Sequence, residues 1–243
     1  MRARNAGSFR LEQEMAASAT RWLHREGLSV KAEFRTRWGI CDLVGFAFDT
    51  ARVRNRIALG QRQPIGHELR ILLLHAIPDC ATGKSARPDR LLQLFSDILS
   101  VPQFEKEIAQ LEKAHFVVRT RAGNLQKLNG WVPLHRRIVA IELKLCRIED
   151  ALNQARCNLA FATESYVGLP RDVADRAGNG SRRKLFDAAG VGLLSVERRN
   201  CGIIVPSKNV GGADPLLQMH CGERFWRSNV ESLVRSMRRD SST

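Results

Sequence analysis

An α/β (α+β) protein is predicted, with a mixed central sheet flanked by helices and interrupted by a smaller inserted module. Three observations carry the prediction. Six short apolar runs of strand character lie at 30–35, 40–48, 138–145, 165–169, 191–196 and 201–205. Around them run stretches whose apolar residues recur at helical spacing. Residues 67–129 break the alternation with three helical segments and a hairpin. At 243 residues, 44% of them hydrophobic and 26% charged, the chain can bury one large core or two small ones.

Residues 9–26 form the first helix, because Leu11, Met15, Ala19, Trp22 and Leu23 fall near helical spacing and Gly27 stands just past the end. Strands follow at 30–35 and 40–48. Residues 52–63, with RVRNR and QRQP, are polar and basic and read as a connector. A strongly apolar helix at 68–77 is stopped by Pro78, and the loop DCATGKSARP leads to a second helix at 88–96. The third, at 102–114, has Ser100 ahead of its first turn to satisfy orphan N–H groups. Its apolar stripe is Phe104, Ile108 and Leu111. Residues 116–119 and 125–128 flank a glycine-containing turn as a hairpin. Three helices followed by a β-hairpin are the outline of a winged helix-turn-helix.

After this module come a strand at 138–145 and a helix at 148–162 with the stripe Ile148, Ala151, Leu152, Ala155, Leu159 and Ala162. The strand at 165–169 is closed by Pro170, residues 171–183 read as a polar loop, and 184–189 as a short helix. Strands at 191–196 and 201–205 precede a basic C-terminal helix at 223–238, and the tail from Arg238 reads as loose. The expected division is therefore a discontinuous α/β domain, 1–60 plus 130–243, with the winged-helix module at 67–129 inserted into it.

Lysine and arginine number 39 against 25 acids, a formal charge of +14. Only eight of the 39 are lysines. Arginine's planar fork suits phosphate, and a surplus of this size points to nucleic acid or another polyanion. The alternative is that arginine merely keeps the protein soluble. The longest uncharged run, 188–196, has nine residues, against the roughly 20 a spanning helix needs. The first residues, MRARNAGSFRLEQE, contain no apolar core of a secretory signal, so a cytoplasmic protein without membrane attachment is expected. The six cysteines are never closer than 11 residues, which disfavours zinc ribbons, zinc fingers and CxxC redox motifs. Gly83-Lys84-Ser85 lacks the first glycine of a phosphate-binding loop. Neither a Gly-x-Ser-x-Gly elbow nor a Gly-x-Gly-x-x-Gly turn after a strand occurs.

The segment 139–145, VAIELKL, is the most informative. Alternation along a strand sends Val139, Ile141, Leu143 and Leu145 one way and Glu142 and Lys144 together the other. Such a carboxylate, with a second acid, can hold Mg²⁺ through oxygen ligands, and the lysine can orient or activate water or stabilise charge on a phosphate. A solvated strand face carrying an ion pair is the competing reading. Asp42, set among apolar residues in ICDLVGF, supplies the second acid, unless it is a turn or strand-start residue. Gln154 lies beside the stripe of the following helix and either faces a metal site or DNA or is solvated.

An N-terminal helix, a strand bearing Asp42, a strand bearing Glu142-Leu143-Lys144, a helix and a further strand YVGLP resemble the PD-(D/E)xK nuclease superfamily. Later, GVGLLSV and CGIIVP are similar to the final strands of many such domains. The resemblance covers roughly 8–50 and 136–206, and its motifs are few residues of common types. Cys41 stands where many members carry proline, and the 100 residues between Asp42 and Glu142 require a domain insertion, for which 67–129 is available. The resemblance implies a restriction-endonuclease-like fold and a metal-dependent phosphodiesterase acting on DNA, in restriction or defence, recombination or repair. Asp42, Glu142 and the backbone carbonyl of Leu143 would hold Mg²⁺ (or Mn²⁺), and Lys144 would position or help deprotonate the attacking water. Glu14 matches a position where several members carry an additional metal-site glutamate, with Glu12 competing for that role. The winged-helix module would grip duplex DNA. Its third helix, QFEKEIAQLEKA, is acidic for a groove reader, which favours contacts with a partner protein or a second copy. The alternatives are a non-catalytic DNA-binding regulator on a nuclease-like scaffold and an RNA-processing nuclease.

Overall fold

One strand, β5 (His135–Leu143), is buried along its whole second half, from Ile138 to Leu143, and the first of two compact units is built around it. The computed structural model describes residues 9–128, 133–208 and 212–240. The first unit takes the chain up to Ala47 together with His135–Asp214. Its sheet has six strands in the order β1-β2-β5-β6-β7-β8. β1 (Ser29–Thr36) and β2 (Gly39–Phe48) form an antiparallel hairpin. β5, β6 (Glu164–Pro170) and β7 (Gly192–Val196) run parallel, and β8 (Cys201–Val205) returns antiparallel to β7. The sheet is mixed and flanked by helices.

Alternation along the strands divides two cores. Val139, Ile141 and Leu143 of β5 and Leu194 and Val196 of β7 pack with Met15, Ala19, Trp22 and Leu23 of α1 (Gln13–Arg25). Val167 and Leu169 of β6 and Leu193 of β7 pack with Ile148, Ala151 and Ala155 of α6 (Ile148–Asn158) and with the helix that follows β6. Gly168 on β6 leaves room for the Leu143 side chain: a Cβ there would lie 2.6 Å from Leu143 Cδ2, which would have to shift.

The second unit comprises Phe48–Leu134 and the chain from Pro215 onward. It contains α2 (Thr50–Ala58), α3 (Glu68–Ala76), a single 3₁₀ turn at Cys80–Thr82, α4 (Pro88–Leu94) and α5 (Val101–Lys113). The hairpin β3 (Val117–Arg119) and β4 (Leu125–Lys127) follows, and a long C-terminal helix, α9 (Pro215–Asp240), completes the unit. Ser100 and Gln103 form a capping box at the start of α5. The core joins Ile71, Leu73 and Leu74 of α3 to Phe104, Ile108 and Leu111 of α5, with Phe116, Leu125 and Met219.

Three sequence readings are corrected. The connector at 52–63 is largely the helix α2, whose N-terminus is capped by Asp49 accepting from the Arg52 amide at 3.1 Å. Its inner face carries Val53 and the buried Arg56, so a charged residue hid the amphipathic pattern. The loop at 171–183 contains α7 (Arg171–Asn179) and the start of α8 (Arg183–Ala189). The buried face of α7 consists of the small residues Ala174, Ala177 and Gly178, a weak apolar signal. The helix expected at 223–238 begins at Pro215 and belongs to the second unit, as do residues 48–60, so neither goes with the sheet as expected. Residues 238–240 lie within α9, while 241–243 of the expected loose tail, and 130–132 of the segment assigned to the sheet domain, lie outside the described residues.

A buried ion pair and the apolar side of α9 join that helix to the second unit. Glu223 of α9 and Arg56 of α2, both almost fully buried, are joined twice, through Arg56 Nη1 to Oε1 and through Nη2 to Oε2 at 3.0 Å. The guanidinium also donates to the Gln61 and Gln63 carbonyls at 3.1 Å, and Glu223 Oε2 accepts from the Ile65 amide at 2.7 Å. The Trp226 ring lies 4.3 Å below the guanidinium carbon. Among the described residues, no helix is long and apolar enough to cross a membrane. Glu223→Ala, which leaves the Arg56 charge buried and unpaired, is expected to destabilise the second unit by about 3–5 kcal/mol, measured by urea unfolding followed through tryptophan fluorescence.

Candidate functional site

Glu142 is the second-last residue of β5 and is only 2% exposed. The strand's neighbours and the helices over both faces leave its carboxylate no solvent, so the interior has to supply its partners. Its Oε1 accepts a hydrogen bond from Asn158 Nδ2 at 2.7 Å, and Asn158 Oδ1 in turn accepts from Trp38 Nε1 at 3.1 Å. Asp42 on β2 is half-buried, and its Oδ2 accepts from the Leu143 amide at 2.7 Å. Asp42 is thereby tied to the backbone of the residue that follows Glu142. Glu33, on the β1 segment facing Asp42, adopts a left-handed φ of 49°.

Lys144 lies just beyond β5. Its Nζ donates to the Leu143 carbonyl at 3.2 Å and to Glu12 Oε2 at 3.3 Å. Glu12 stands at the N-terminal boundary of α1, and its side chain also accepts from the Leu145 amide at 3.4 Å. Asp42, Glu142, Leu143 and Lys144 are therefore linked through the end of one strand. Glu14 is not part of this group: it pairs with Arg198 at 3.4 Å, and Glu12 takes the place beside the lysine. Gln154 is exposed on α6, and no hydrogen bond ties it to the carboxylates. Asn158, one turn further along, fills that role. It continues the buried row Ile148, Ala151 and Ala155, and a polar residue on that row was the signal available in the sequence.

Burial, above all, pushes the Glu142 carboxyl up to about 7, with the Asp42 charge adding to the rise while Asn158 and Lys144 oppose it. Burial likewise raises Asp42, opposed by the Leu143 amide and Lys144 and reinforced by Glu12 and Glu33. The buried Cys41 thiol is held well above its usual value by burial and by Glu142. Asp42 thus adds to the rise at Glu142, and Lys144 opposes the rise at both carboxyls. No known protein family, no curated protein and no solved structure matches the chain. Geometry alone must carry the reading of the site. Among the described residues, no group of three histidine, cysteine, aspartate or glutamate side chains is placed to hold a metal.

A carboxyl raised from 4.5 to about 7 has a definite effect on stability. Below the lower value both folded and unfolded chains hold the proton and nothing is lost. As pH rises through this window the unfolded chain releases its proton first, so stability falls, and the whole penalty stands above the higher value. Glu142→Gln keeps an acceptor for Asn158 and is expected to flatten this dependence. Above neutral pH it should stabilise the first unit by up to roughly 3 kcal/mol, read from urea unfolding across the pH range.

Proposed function

We propose that the chain is a divalent-metal-dependent DNA nuclease of the PD-(D/E)xK kind, with the restriction-endonuclease-like fold in its first unit. The observation that carries this reading is the tie between Asp42 and the Leu143 amide, which brings a second acid to the buried Glu142 and its neighbour Lys144. The donor set suits a hard cation. Magnesium takes one or two carboxylates and keeps several waters, so it needs no third acidic side chain. Asp42, Glu142 and the Leu143 carbonyl would hold Mg²⁺ or Mn²⁺, whose charge would offset the burial, and the smaller Asp42 repulsion, that raise Glu142. The ion would supply Lewis-acid polarisation of the scissile phosphate and charge for the leaving oxygen. Lys144 would orient the attacking water or help remove its proton, and Glu12 would hold the ammonium in place.

The second unit supports a DNA-gripping role. Its helices α3, α4 and α5 are followed by the β3–β4 hairpin, and Ala86, ahead of α4, bridges Leu125 of β4. That order is the one a winged helix uses. Two of the acids on α5 are neutralised locally, Glu107 by Arg70 and Glu112 by Arg119. Beside α5, Leu94, Ile98 and Val101 are 75%, 59% and 54% exposed, which suits a second copy or a partner protein better than a DNA groove. Restriction or defence, recombination and repair all use such an enzyme.

The test is single-turnover cleavage of supercoiled, linear, branched and single-stranded DNA, and of RNA, with Mg²⁺, Mn²⁺ or EDTA. Wild type is expected to cleave DNA only with metal. Glu142→Gln should lower the rate by orders of magnitude while affinity in EDTA holds or rises, because a carboxylate near phosphate has gone. Lys144→Ala should abolish cleavage and also lose some affinity, with a shallower salt dependence. Cleavage that survives Glu142→Gln overturns the assignment. A wild type that binds DNA but cuts nothing makes it a non-catalytic regulator, and cleavage confined to RNA makes it an RNA-processing enzyme.

A further inference from the structure

The hydrogen-bond chain behind Glu142 ends at the surface. Trp38 sits in the turn between β1 and β2, a turn closed by Thr36 Oγ1 donating to the Gly39 carbonyl at 2.9 Å. Its indole packs at 6.2 Å on Phe161, which itself stacks on Phe34 at 5.8 Å. The inner side of the ring is thus anchored, yet 39% of the residue remains exposed. Arg35, Arg37 and Ile40 are exposed on the same hairpin tip. An aromatic surface among arginines is how proteins receive unpaired bases, with the cations tracking the phosphates and the ring taking the base.

The inner end of the chain is equally specific. An indole N–H can only donate, so Trp38 settles which way the Asn158 amide points: its oxygen faces Trp38 and its NH₂ faces Glu142. Asn158 is 1% exposed, so its two side-chain partners come from the protein interior. The orientation of the Glu142 carboxylate therefore depends, through one amide, on the seat of a surface tryptophan.

Resting on the nuclease reading, we propose that Trp38 is the stacking platform for an unpaired nucleotide of a single-stranded or flapped DNA, and that Asn158 is the positioning residue joining this platform to Glu142. The substrate class follows from geometry. Bases inside an intact duplex are already stacked on each other, whereas an unpaired base offers a free face to an exposed ring. The ring stands two hydrogen bonds from Glu142.

Binding in EDTA by the full chain separates this inference from catalysis. Wild type should bind a single-stranded oligonucleotide, or a duplex with a single-stranded flap, more tightly than a blunt duplex, with partial quenching of tryptophan fluorescence. Trp38→Ala should weaken single-strand binding by about tenfold, the scale of one lost base stack, and leave blunt-duplex binding within about twofold. Trp38→Phe keeps a ring but removes the N–H, so it should bind nearly as wild type while its single-turnover cleavage rate falls, because Asn158 has lost its anchor. Unchanged single-strand affinity in Trp38→Ala, an equal loss on all DNAs, or tighter binding to single-stranded RNA than to DNA overturns the proposal. A wild type without metal-dependent cleavage defeats the nuclease reading alone, since the stacking measurements are made without metal.

Discussion

The second half of β5, from Ile138 to Leu143, has no face turned to water, and the candidate site is a consequence of that constraint. A strand enclosed by β2 and β6 on its edges and by helices above and below accepts apolar residues freely, as Ile138 to Ile141 show. A carboxylate in the same row must be hydrogen-bonded from within or be neutralised. Glu142 draws Asn158 into the α6 interface, sits near the Cys41 thiol, and shares its surroundings with Asp42. Each of these groups would be unremarked on a solvated strand. Enclosure turns an ordinary Glu-x-Lys sequence into a coupled set of charges.

What could be read from the sequence follows the strength of the apolar signal. β2, β5, β6, β7 and β8 were legible because Val, Ile, Leu and Phe dominate them and turn residues bound them. The helices α2 and α7 were missed because their buried sides use Arg56 or Ala174, Ala177 and Gly178 in place of large apolar residues. In the site, Glu142 lies in β5 where the strand pattern puts it, whereas Lys144 lies just past the strand's end and turns to Glu12. Asn158 and Trp38 were not legible, since Trp38 finds Asn158 across 120 residues of sequence. Glu12 and Glu14 differ by half a helical turn, and only the start of α1 at Gln13 puts Glu12 at the entry, where it meets Lys144.

The arginine surplus also divides physically. Arg56 is a core residue, locked on Glu223 and on two carbonyls, and Arg137 is held by Glu26 and Glu164. Such residues stabilise the fold and offer nothing to a partner, which is why overall charge is a blunt guide to a binding surface. Exposure differs from this at the hairpin tip, where Arg35 and Arg37 lie at the surface beside Trp38.

The pairing of Arg56 with Glu223 links residues 167 apart, and the first unit is likewise assembled from two distant stretches. A ribosome delivers the chain from the N-terminus, and domains generally close as units once their residues have emerged. Neither unit here can do so early. The hairpin of β1 and β2 waits for β5, which arrives after most of the second unit has been made, and that unit waits for α9, which follows β8 in the chain. During that interval the Arg56 guanidinium lacks its carboxylate, and the outer side of β2 lacks the strand that covers it. Nascent chains of this protein therefore hold both cores open for a long stretch of synthesis: the first closes only after β8 has emerged and the second only after α9, and dependence on chaperones should be greatest in that interval.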